Sequence, residues 1–319
     1  MIISASYKTD IPTFYGDWFM NRLGAGYCKM INPYGRQIYR VSLKRKDVDG
    51  IVFWTKNVGP FLSHLPDVQR MGFPFIVQHT INGYPRSLET SVVDAKTSVE
   101  NAARVRDQFG ARVLVWRYDT VVFSSVTPHS FHVENFGTLA RSLRGVTDEV
   151  VISFAQIYRK TKRNLEGAAA MAGFHWWDPE PADKRRLTAE LVGIARENGM
   201  QLTVCSQRGL LVEGAAEARC VDARRIEDVA GTSLSTKLKG NREDCGCFES
   251  RDIGDYDTCP HGCVYCYAVQ DRPLALERYH RHKPNSEFLF EPADGVTGVN
   301  GDQELRVVQQ PQLRLFDQE

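Results

Sequence analysis

Residues 50–55, GIVFWT, and residues 74–81, PFIVQHTI, are two short runs of almost unbroken apolar residues. Runs of this length without polar alternation are typical of strands that are covered on both faces, as in a parallel sheet. Four further runs have the same character, at residues 2–6, 112–118, 149–158 and 201–206. Helical periodicity predicts helices between several of these runs, at residues 90–109, 131–144 and 181–199.

This alternation predicts an α/β fold in which six strand–helix units build a parallel sheet with right-handed crossovers. Periodicity alone does not distinguish an open or closed barrel from a flat sheet, and the architecture we predict is a (β/α)6-type partial barrel. We expect a barrel-like domain over residues 1–230 and a cysteine-rich segment, 231–283, packed on its mouth. Residues 284–319 are predicted to form a flexible, mobile tail.

The composition is that of an ordinary globular protein of 319 residues, with 42% hydrophobic residues and a formal net charge of +1. No run of about 18 apolar residues predicts a membrane span. The first residues lack the pattern of a secretory signal, so we expect a cytoplasmic protein. Five of the eight cysteines crowd between Cys245 and Cys266, which indicates metal binding rather than disulfides.

Polar side chains follow the predicted strands where the mouth of a parallel α/β sheet should lie. Four of these residues are our candidates for catalysis: Lys56, Gln78, Arg117 and Asp119. Arg117 and Asp119 are two residues apart, so they share one face of a continuing strand. Asp119 could then orient Arg117, whose guanidinium would grip a carboxylate or phosphate bidentately.

Residues 257–268, DTCPHGCVYCYA, hold Cys259, Cys263 and Cys266 at the spacing C-x3-C-x2-C. Thiolates select zinc, copper(I) or iron–sulfur clusters. A structural zinc would need a fourth ligand, for which Cys245, Cys247 and His261 are candidates. In a [4Fe–4S] cluster, three cysteines leave one iron open to a substrate or cofactor.

The cysteine loop, with Tyr265 just before the last cysteine, resembles the cluster loop of the radical S-adenosylmethionine superfamily. Its ending YCYA is similar to that of spore photoproduct lyases. Longer blocks resemble a bacterial family, domain of unknown function 1848, over roughly residues 1–270. These blocks are ISASYKTDIPTFYGDWFMNRL (3–23), VFWTKN (52–57), WRYD (116–119), ISFAQIYRKTKRN (152–164) and DIGDYDTCPHGCVYCYA (252–268).

The resemblance implies that Cys259, Cys263 and Cys266 each ligate one iron of a [4Fe–4S] cluster. It also implies that S-adenosylmethionine chelates the fourth iron, with Tyr265 near its adenine. An electron donor such as a flavodoxin or ferredoxin would reduce the cluster. Two features depart from the superfamily pattern: the cysteine loop comes late in the chain rather than after the first strand, and no Gly-Gly-Glu stretch is present.

Basic stretches with interleaved aromatic residues occur at 36–46, 158–164 and 272–283, and such stretches can hold phosphates. Gln312–Phe316, QLRLF, resembles the short peptide by which bacterial repair proteins dock on the sliding clamp. We therefore expect a radical enzyme acting on nucleic acid, in DNA repair or base modification. The alternative is a non-enzymatic nucleic-acid-binding protein with a structural zinc or a redox iron–sulfur cluster.

Three of the remaining five cysteines allow two interpretations each. Cys245 and Cys247 form a C-x-C pair that could bind an auxiliary metal or be a redox-inert loop pair. Cys205 ends a predicted strand and could donate a hydrogen atom to a substrate radical, although buried inert thiols are commoner. Cys220 and Cys28 stand alone in the sequence.

Overall fold

Eight parallel strands form the central sheet of the computed structural model, which describes residues 1–32, 37–240 and 244–292. In the described part of the chain the strands are β1 Ile2–Ala5, β2 Tyr27–Ile31, β3 Ile38–Ser42, β4 Gly50–Thr55, β5 Phe75–Thr80, β6 Leu114–Val121, β7 Glu149–Phe154, β8 Gln201–Val204, β9 Ala216–Glu217 and β10 Ser250–Asp252. The helices are α1 Ile11–Phe14, α2 Gly16–Ala25, α3 Leu65–Arg70, α4 Ala95–Phe109, α5 His129–Ser142, α6 Arg159–Ala172, α7 Pro181–Glu197, α8 Ala223–Ala230 and α9 Arg272–Arg281.

The strand order in the sheet is β10-β1-β4-β5-β6-β7-β8-β9, and every neighbouring pair is parallel. All six predicted strands are present, which confirms the parallel α/β class. The short edge strands β9 and β10 and the antiparallel hairpin β2–β3 were not predicted. Within the described residues β9 and β10 each pair with one neighbour, so the sheet has two open edges.

The position of β10 decides where the cysteine loop lies. This strand comes last in the chain but pairs with β1, with Ile2 opposite Ser250 and Ser4 opposite Asp252. The cysteine loop follows β10 directly, so it leaves the sheet beside the carboxyl end of the first strand. A segment that is late in the sequence therefore occupies a place next to the beginning of the chain.

The two faces of the sheet are covered differently. Helices α2 to α5 and α7 pack their apolar stripes on one face, against side chains such as Phe53 and Trp116. The opposite face, which we call the inner face, carries a smaller apolar cluster that includes Val52 and Val115 and is covered by α8 and Phe248. Beyond this cluster, towards the carboxyl ends of the strands, the inner face becomes polar with Gln78 and Arg117.

Helix boundaries follow the local signals closely. The carboxylate of Asp94 accepts a hydrogen bond from the backbone N–H of Thr97 and starts α4 at Ala95, five residues later than the helix predicted from 90. Gly110, at φ 90°, ends that helix. No helix of the described residues is long and apolar enough to cross a membrane.

Residues 284–292 belong to the segment predicted as a flexible tail, but they pack against the amino-terminal part of the chain. The indole of Trp18 donates a hydrogen bond to the carbonyl of Ser286 (3.0 Å), and Lys29 N–H donates to the carbonyl of Glu287 (2.8 Å). Leu289 is buried. These residues find partners 258 or more positions earlier in the chain, while the rest of the predicted flexible tail, 293–319, lies outside the described residues.

Candidate functional site

Asp252 at the end of β10 fixes the start of the cysteine loop to the first strand. Its buried carboxylate accepts hydrogen bonds from the hydroxyls of Ser4 and Ser6, each at 2.8 Å, and from the N–H of Gly254 at 3.0 Å. A Cβ on Gly254 would lie 1.9 Å from the Ser6 hydroxyl, so this close approach requires glycine. The loop is therefore anchored where it leaves the sheet.

A second anchor holds the middle of the cysteine loop against the segment after β5. Val264 N–H donates to the carbonyl of Leu88 (3.1 Å), and Ser91 N–H donates to the carbonyl of His261 (2.9 Å). These bonds place Glu89 opposite Cys263 as an antiparallel bridge. Backbone pairing of this kind fixes the position of the loop.

The three cysteines of the loop are partly buried, and backbone N–H groups lie near the sulfurs of Cys259 and Cys266. Ala268 N–H donates to Sγ of Cys266 (3.3 Å). Burial raises the pKa of the Cys259 thiol to about 12, although backbone N–H groups of His261 and Asp10 act in the opposite direction. Burial also raises the pKa of Cys263, and the charge of Lys56 opposes this. Without a metal these thiols are therefore protonated at neutral pH.

Lys56, one of the predicted catalytic residues, forms a buried ion pair with Glu89, with 2.8 Å between Nζ and Oε1. The same Lys56 ammonium donates to the hydroxyl of Tyr265 (3.1 Å), and that hydroxyl donates to Oε1 of Glu89. Burial raises the pKa of Glu89, but the charge of Lys56 and three hydrogen bonds outweigh it and lower the pKa below its usual range. Tyr265 is thus fixed by charge as well as by packing.

Asp10 links the first helix to the cysteine loop. Its carboxylate caps α1 by accepting from Thr13 N–H (2.9 Å), and it also accepts from Lys56 N–H (2.7 Å) and pairs with Nε2 of His261 (2.8 Å). Burial raises the pKa of Asp10, but the hydrogen bond and charge interaction with His261 and the hydrogen bonds from Lys56 and Thr13 together outweigh it and hold the pKa below its usual range. Both side chains are almost fully buried.

Arg117, Asp119 and Gln78 form a second polar group on the inner face. Nε and Nη2 of Arg117 donate to Oδ2 of Asp119 (3.2 and 2.6 Å), and Nη1 donates to Oε1 of Gln78 (3.2 Å) and to Sγ of Cys220 (2.9 Å). The guanidinium also lies 5.1 Å from the ring centroid of Trp54. These contacts occupy four of its five N–H groups. The expected bidentate grip on a ligand therefore requires that Arg117 give up partners it holds here.

Asn82 joins the two polar groups. Its Oδ1 accepts from Asp119 N–H (3.0 Å), while its Nδ2 donates to the hydroxyl of Tyr265 (3.0 Å) and to Oε1 of Glu89 (3.0 Å). The predicted residues Lys56, Gln78, Arg117, Asp119 and Tyr265 consequently belong to one continuous network at the carboxyl ends of the strands.

Sequence reasoning missed several members of this network. Glu89 and Asn82 lie in the loop after β5, where no motif marks them. Asp252 lies in the block DIGDYD, but its role depends on the pairing of β10 with β1, which the sequence does not signal. Asp10 follows the first strand, and its pairing with His261, 251 positions later, has no local signal in the sequence.

Basic and aromatic side chains gather beside the cysteine loop. The ammonium groups of Lys8 and Lys160 lie 5.4 and 5.5 Å from the ring centroid of Tyr256. The guanidinium of Arg278 lies 5.0 Å from the ring centroid of Phe290 and donates to the carbonyl of Tyr256 (2.8 Å). Parts of two predicted basic stretches, 158–164 and 272–283, therefore meet at this surface.

Comparison with known proteins gives one match. A family model described as a domain of unknown function (DUF1848) matches residues 2–268, which include all strands of the described sheet and the three cysteines of the loop. No curated protein and no solved structure matches the chain significantly. The resemblance to this family noted from the sequence blocks is confirmed, and the chain belongs to the DUF1848 family.

Proposed function

We propose that the cysteine loop holds a [4Fe–4S] cluster and that the protein is a radical S-adenosylmethionine enzyme. The observation that carries the proposal is the pairing of β10 with β1, which brings Cys259, Cys263 and Cys266 to the carboxyl end of the first strand. The late position of the loop in the sequence is then no obstacle. We further propose that the sheet acts as a partial (β/α)6 barrel with the cluster at its mouth.

Three cysteine thiols in one loop supply the donor chemistry that an iron–sulfur cluster takes, which supports the proposal. In residues 1–32, 37–240 and 244–292 no three His, Cys, Asp or Glu side chains are arranged to hold a single metal ion. A tetrahedral zinc would need sulfurs about 3.8 Å apart, given Zn–S bonds of about 2.3 Å. A cluster binds each sulfur to a separate iron and spaces them more widely. The backbone N–H groups near Cys259 and Cys266 are of the kind that stabilises ligated thiolates.

The cysteines of the loop and the polar residues beside them have different roles in this proposal. Cys259, Cys263 and Cys266 would hold one iron each, and the bound cluster and S-adenosylmethionine would supply a 5′-deoxyadenosyl radical for hydrogen abstraction. Tyr265, held by Glu89, would lie beside the adenine. The other polar residues, Lys56, Gln78, Arg117 and Asp119, would line the substrate side of the mouth.

We propose nucleic acid as the substrate class, in DNA repair or base modification. The surface formed by Lys8, Lys160, Tyr256 and Arg278 offers cations beside aromatic rings, which suits phosphates and bases. Gln312–Phe316, the expected sliding-clamp peptide, lies outside the described residues. A flavodoxin or ferredoxin is the proposed electron donor.

Anaerobic reconstitution with iron and sulfide tests the metal. We expect a brown protein with broad absorption near 400 nm, roughly as for other cysteine-ligated clusters. Changing Cys259, Cys263 and Cys266 together to Ala should abolish iron and sulfide binding, while the Cys245→Ala/Cys247→Ala variant, the matched control, keeps the cluster. Full iron content in the triple variant would refute the assignment. A colourless, zinc-loaded protein would establish the structural alternative.

Reduction tests the chemistry. With dithionite and S-adenosylmethionine, the loaded protein should release 5′-deoxyadenosine and methionine, and the rate should rise with a suitable DNA substrate. A fully loaded cluster that never releases 5′-deoxyadenosine would leave a redox or structural cluster as the function of the loop.

A further inference from the structure

Four cysteines that are scattered in the sequence stand in a row on the inner face of the sheet. Sγ of Cys205 lies 3.3 Å from Sγ of Cys220. The Cys220 thiol also shares a hydrogen bond with Cys247, which in turn shares one with Cys245. We call these residues the thiol row. It is separate from Cys259, Cys263 and Cys266 of the cysteine loop.

The sheet topology creates this row. Strand β9 pairs in parallel with β8, and Ala218 N–H donates to the carbonyl of Val204 (3.0 Å), so the residues after β9 run alongside the end of β8. Phe248 N–H then donates to the carbonyl of Val221 (3.0 Å), which brings the C-x-C segment next to Cys220. Val221 N–H donates to Sγ of Cys247 (3.4 Å).

The short distance between two of the sulfurs indicates a covalent pair. The four thiols follow one another, and in the part of the chain that the structure describes no three of them surround one point suited to a metal ion. The distance between Cys205 and Cys220 sulfurs, 3.3 Å, exceeds the disulfide bond length of about 2.05 Å by about 1.2 Å. A disulfide would require the two sulfurs to approach by this amount.

Two neighbouring features support a chemical role for this pair. Nη1 of Arg117 donates to Sγ of Cys220 at 2.9 Å, and a buried guanidinium in this position stabilises the thiolate. Ser206, directly after Cys205, has φ 52°, a left-handed conformation that is unfavourable for a residue with a Cβ. Strained backbone of this kind is concentrated at functional sites.

We propose that Cys205 and Cys220 form a redox-active dithiol that closes to an intramolecular disulfide. Its substrates would be small two-electron oxidants of the disulfide or diazene class. With a diazene, the Cys220 thiolate adds to one nitrogen, and the Cys205 sulfur then attacks Cys220 and displaces a hydrazine. The two thiols lose two electrons and two protons, and the N=N bond gains them.

Burial and contacts between the thiols set the rate of this reaction. The hydrogen bond with Cys205 lowers the pKa of Cys220, but the hydrogen bond with Cys247 and burial outweigh it and raise the pKa to about 12. Only a small fraction of thiolate exists at neutral pH, so closure should be slow at pH 7 and accelerate as the pH rises. The inference concerns the thiol row alone and stands whether or not the cysteine loop holds a cluster.

Diamide, a diazene oxidant, tests the proposal on the full-length chain. Trypsin places Cys205 in fragment 197–208, Cys220 in 220–224 and the C-x-C pair in 243–251, so mass spectrometry under non-reducing conditions identifies each linkage. We expect the linked fragments 197–208 and 220–224 to be the dominant disulfide of the thiol row. Dithiothreitol should reverse the link.

Two variants complete the test. Cys205→Ser should abolish the link and leave Cys220 free for alkylation after denaturation, whereas Cys245→Ser should leave the Cys205–Cys220 link unchanged. A dominant link from Cys220 to fragment 243–251 would overturn the assignment of the pair. Recovery of Cys205 and Cys220 as free thiols after exhaustive diamide treatment at pH 8.5 would overturn the proposal itself.

Discussion

Lys56 and Glu89 form an ion pair buried beside the cysteine loop, and the Glu89 carboxylate that neutralises the lysine also accepts a hydrogen bond from the hydroxyl of Tyr265. Lys56 follows β4, Glu89 follows β5, and Tyr265 comes from the loop after β10. One charged contact therefore connects two strand ends with the segment that carries the cysteines. The position of Tyr265 depends on this pair.

We predict that Glu89→Gln lowers the free energy of unfolding by about 3–5 kcal/mol, because it leaves the Lys56 ammonium buried without its counter-charge. Urea denaturation monitored by circular dichroism measures the change. Glu166→Gln is the matched control, since it breaks a pair with Lys162 (3.9 Å) in which both side chains are more than half exposed. That variant should lose less than about 1 kcal/mol. Equal effects of the two substitutions would contradict the buried role of Glu89.

The double variant Lys56→Met/Glu89→Leu separates charge from packing. It removes both charges and keeps apolar volume, so it should recover much of the stability that Glu89→Gln loses. It should also disturb Tyr265, because the tyrosine hydroxyl loses two of its partners. The free energy of unfolding should therefore recover in this variant, whereas the iron content of the reconstituted protein should not.

Arg117 supplies a further prediction. Arg117→Lys keeps the charge but cannot reproduce the two bonds to Asp119 together with those to Gln78 and Cys220. We expect a loss of about 3 kcal/mol in the free energy of unfolding, and reduced cofactor cleavage as well. The exposed pair of Arg186 with Asp183 (3.0 Å) gives the control substitution Arg186→Lys.

The outcome for Arg117→Lys distinguishes two roles. Unchanged stability with weaker cofactor or substrate binding would mean that the guanidinium turns away from Asp119 to grip a ligand, as the sequence suggested. Loss of stability with normal binding by the remaining folded protein would make Arg117 a positioning residue for Asp119, whose side chain is more exposed than that of Arg117.

The strands of the sheet could be predicted from the sequence more completely than the residues of the candidate site. Strand β4 was predicted at its observed bounds, Gly50–Thr55, because an unbroken apolar run between polar residues is a local signal. Strand β10 was missed because Ser250–Asp252 is short and polar, and it exists only through pairing with β1. Glu89 was missed for the same reason, since its partner Tyr265 is 176 residues away and no local pattern marks a buried acid.

The cysteines show the same limit. Spacing identified the loop of Cys259, Cys263 and Cys266, because these three cysteines are close in sequence. The contact between Cys205 and Cys220 escaped notice, although only 15 residues separate them, since strand β9 between them is two residues long and both of its residues are exposed. Contacts made by irregular segments carry no periodicity to detect.

The carboxyl-terminal peptide Gln312–Phe316 gives a prediction about a partner. Deleting residues 312–316 should abolish binding to the sliding clamp of the host and leave iron content and cofactor cleavage unchanged. A short peptide with apolar anchors can bury them in a groove of a partner. Surface plasmon resonance on immobilised clamp measures the binding, and an Arg314→Ala variant, which keeps Gln312, Leu313, Leu315 and Phe316, is the control. Equal clamp binding by full-length and truncated protein, or none by either, would refute the docking role.

His132 lies fully buried in α5 against β6 and makes two hydrogen bonds that fix the tautomer of its neutral ring. The carbonyl of Val122 can only accept, so Nε2 of His132 carries the hydrogen and donates to it (3.1 Å). Nδ1 is then the acceptor for the hydroxyl of Tyr118 (2.9 Å). Burial lowers the pKa of His132 from 6.5 to about 4, so the ring is neutral in the folded protein at neutral pH.

This burial makes the stability of the fold sensitive to acid. Between pH 6.5 and about 4 the unfolded chain binds a proton at His132 that the folded chain does not, so the free energy of unfolding falls as the pH falls through this window. At pH 5 the loss relative to pH 7.5 should be about 2 kcal/mol from this residue. His132→Gln keeps a donor for the Val122 carbonyl and cannot titrate, so its stability should fall about 2 kcal/mol less between pH 7.5 and 5 in urea titrations. His280→Gln on the exposed face of α9 is the control. Parallel pH profiles for wild type and His132→Gln would show that His132 is not buried as a neutral ring.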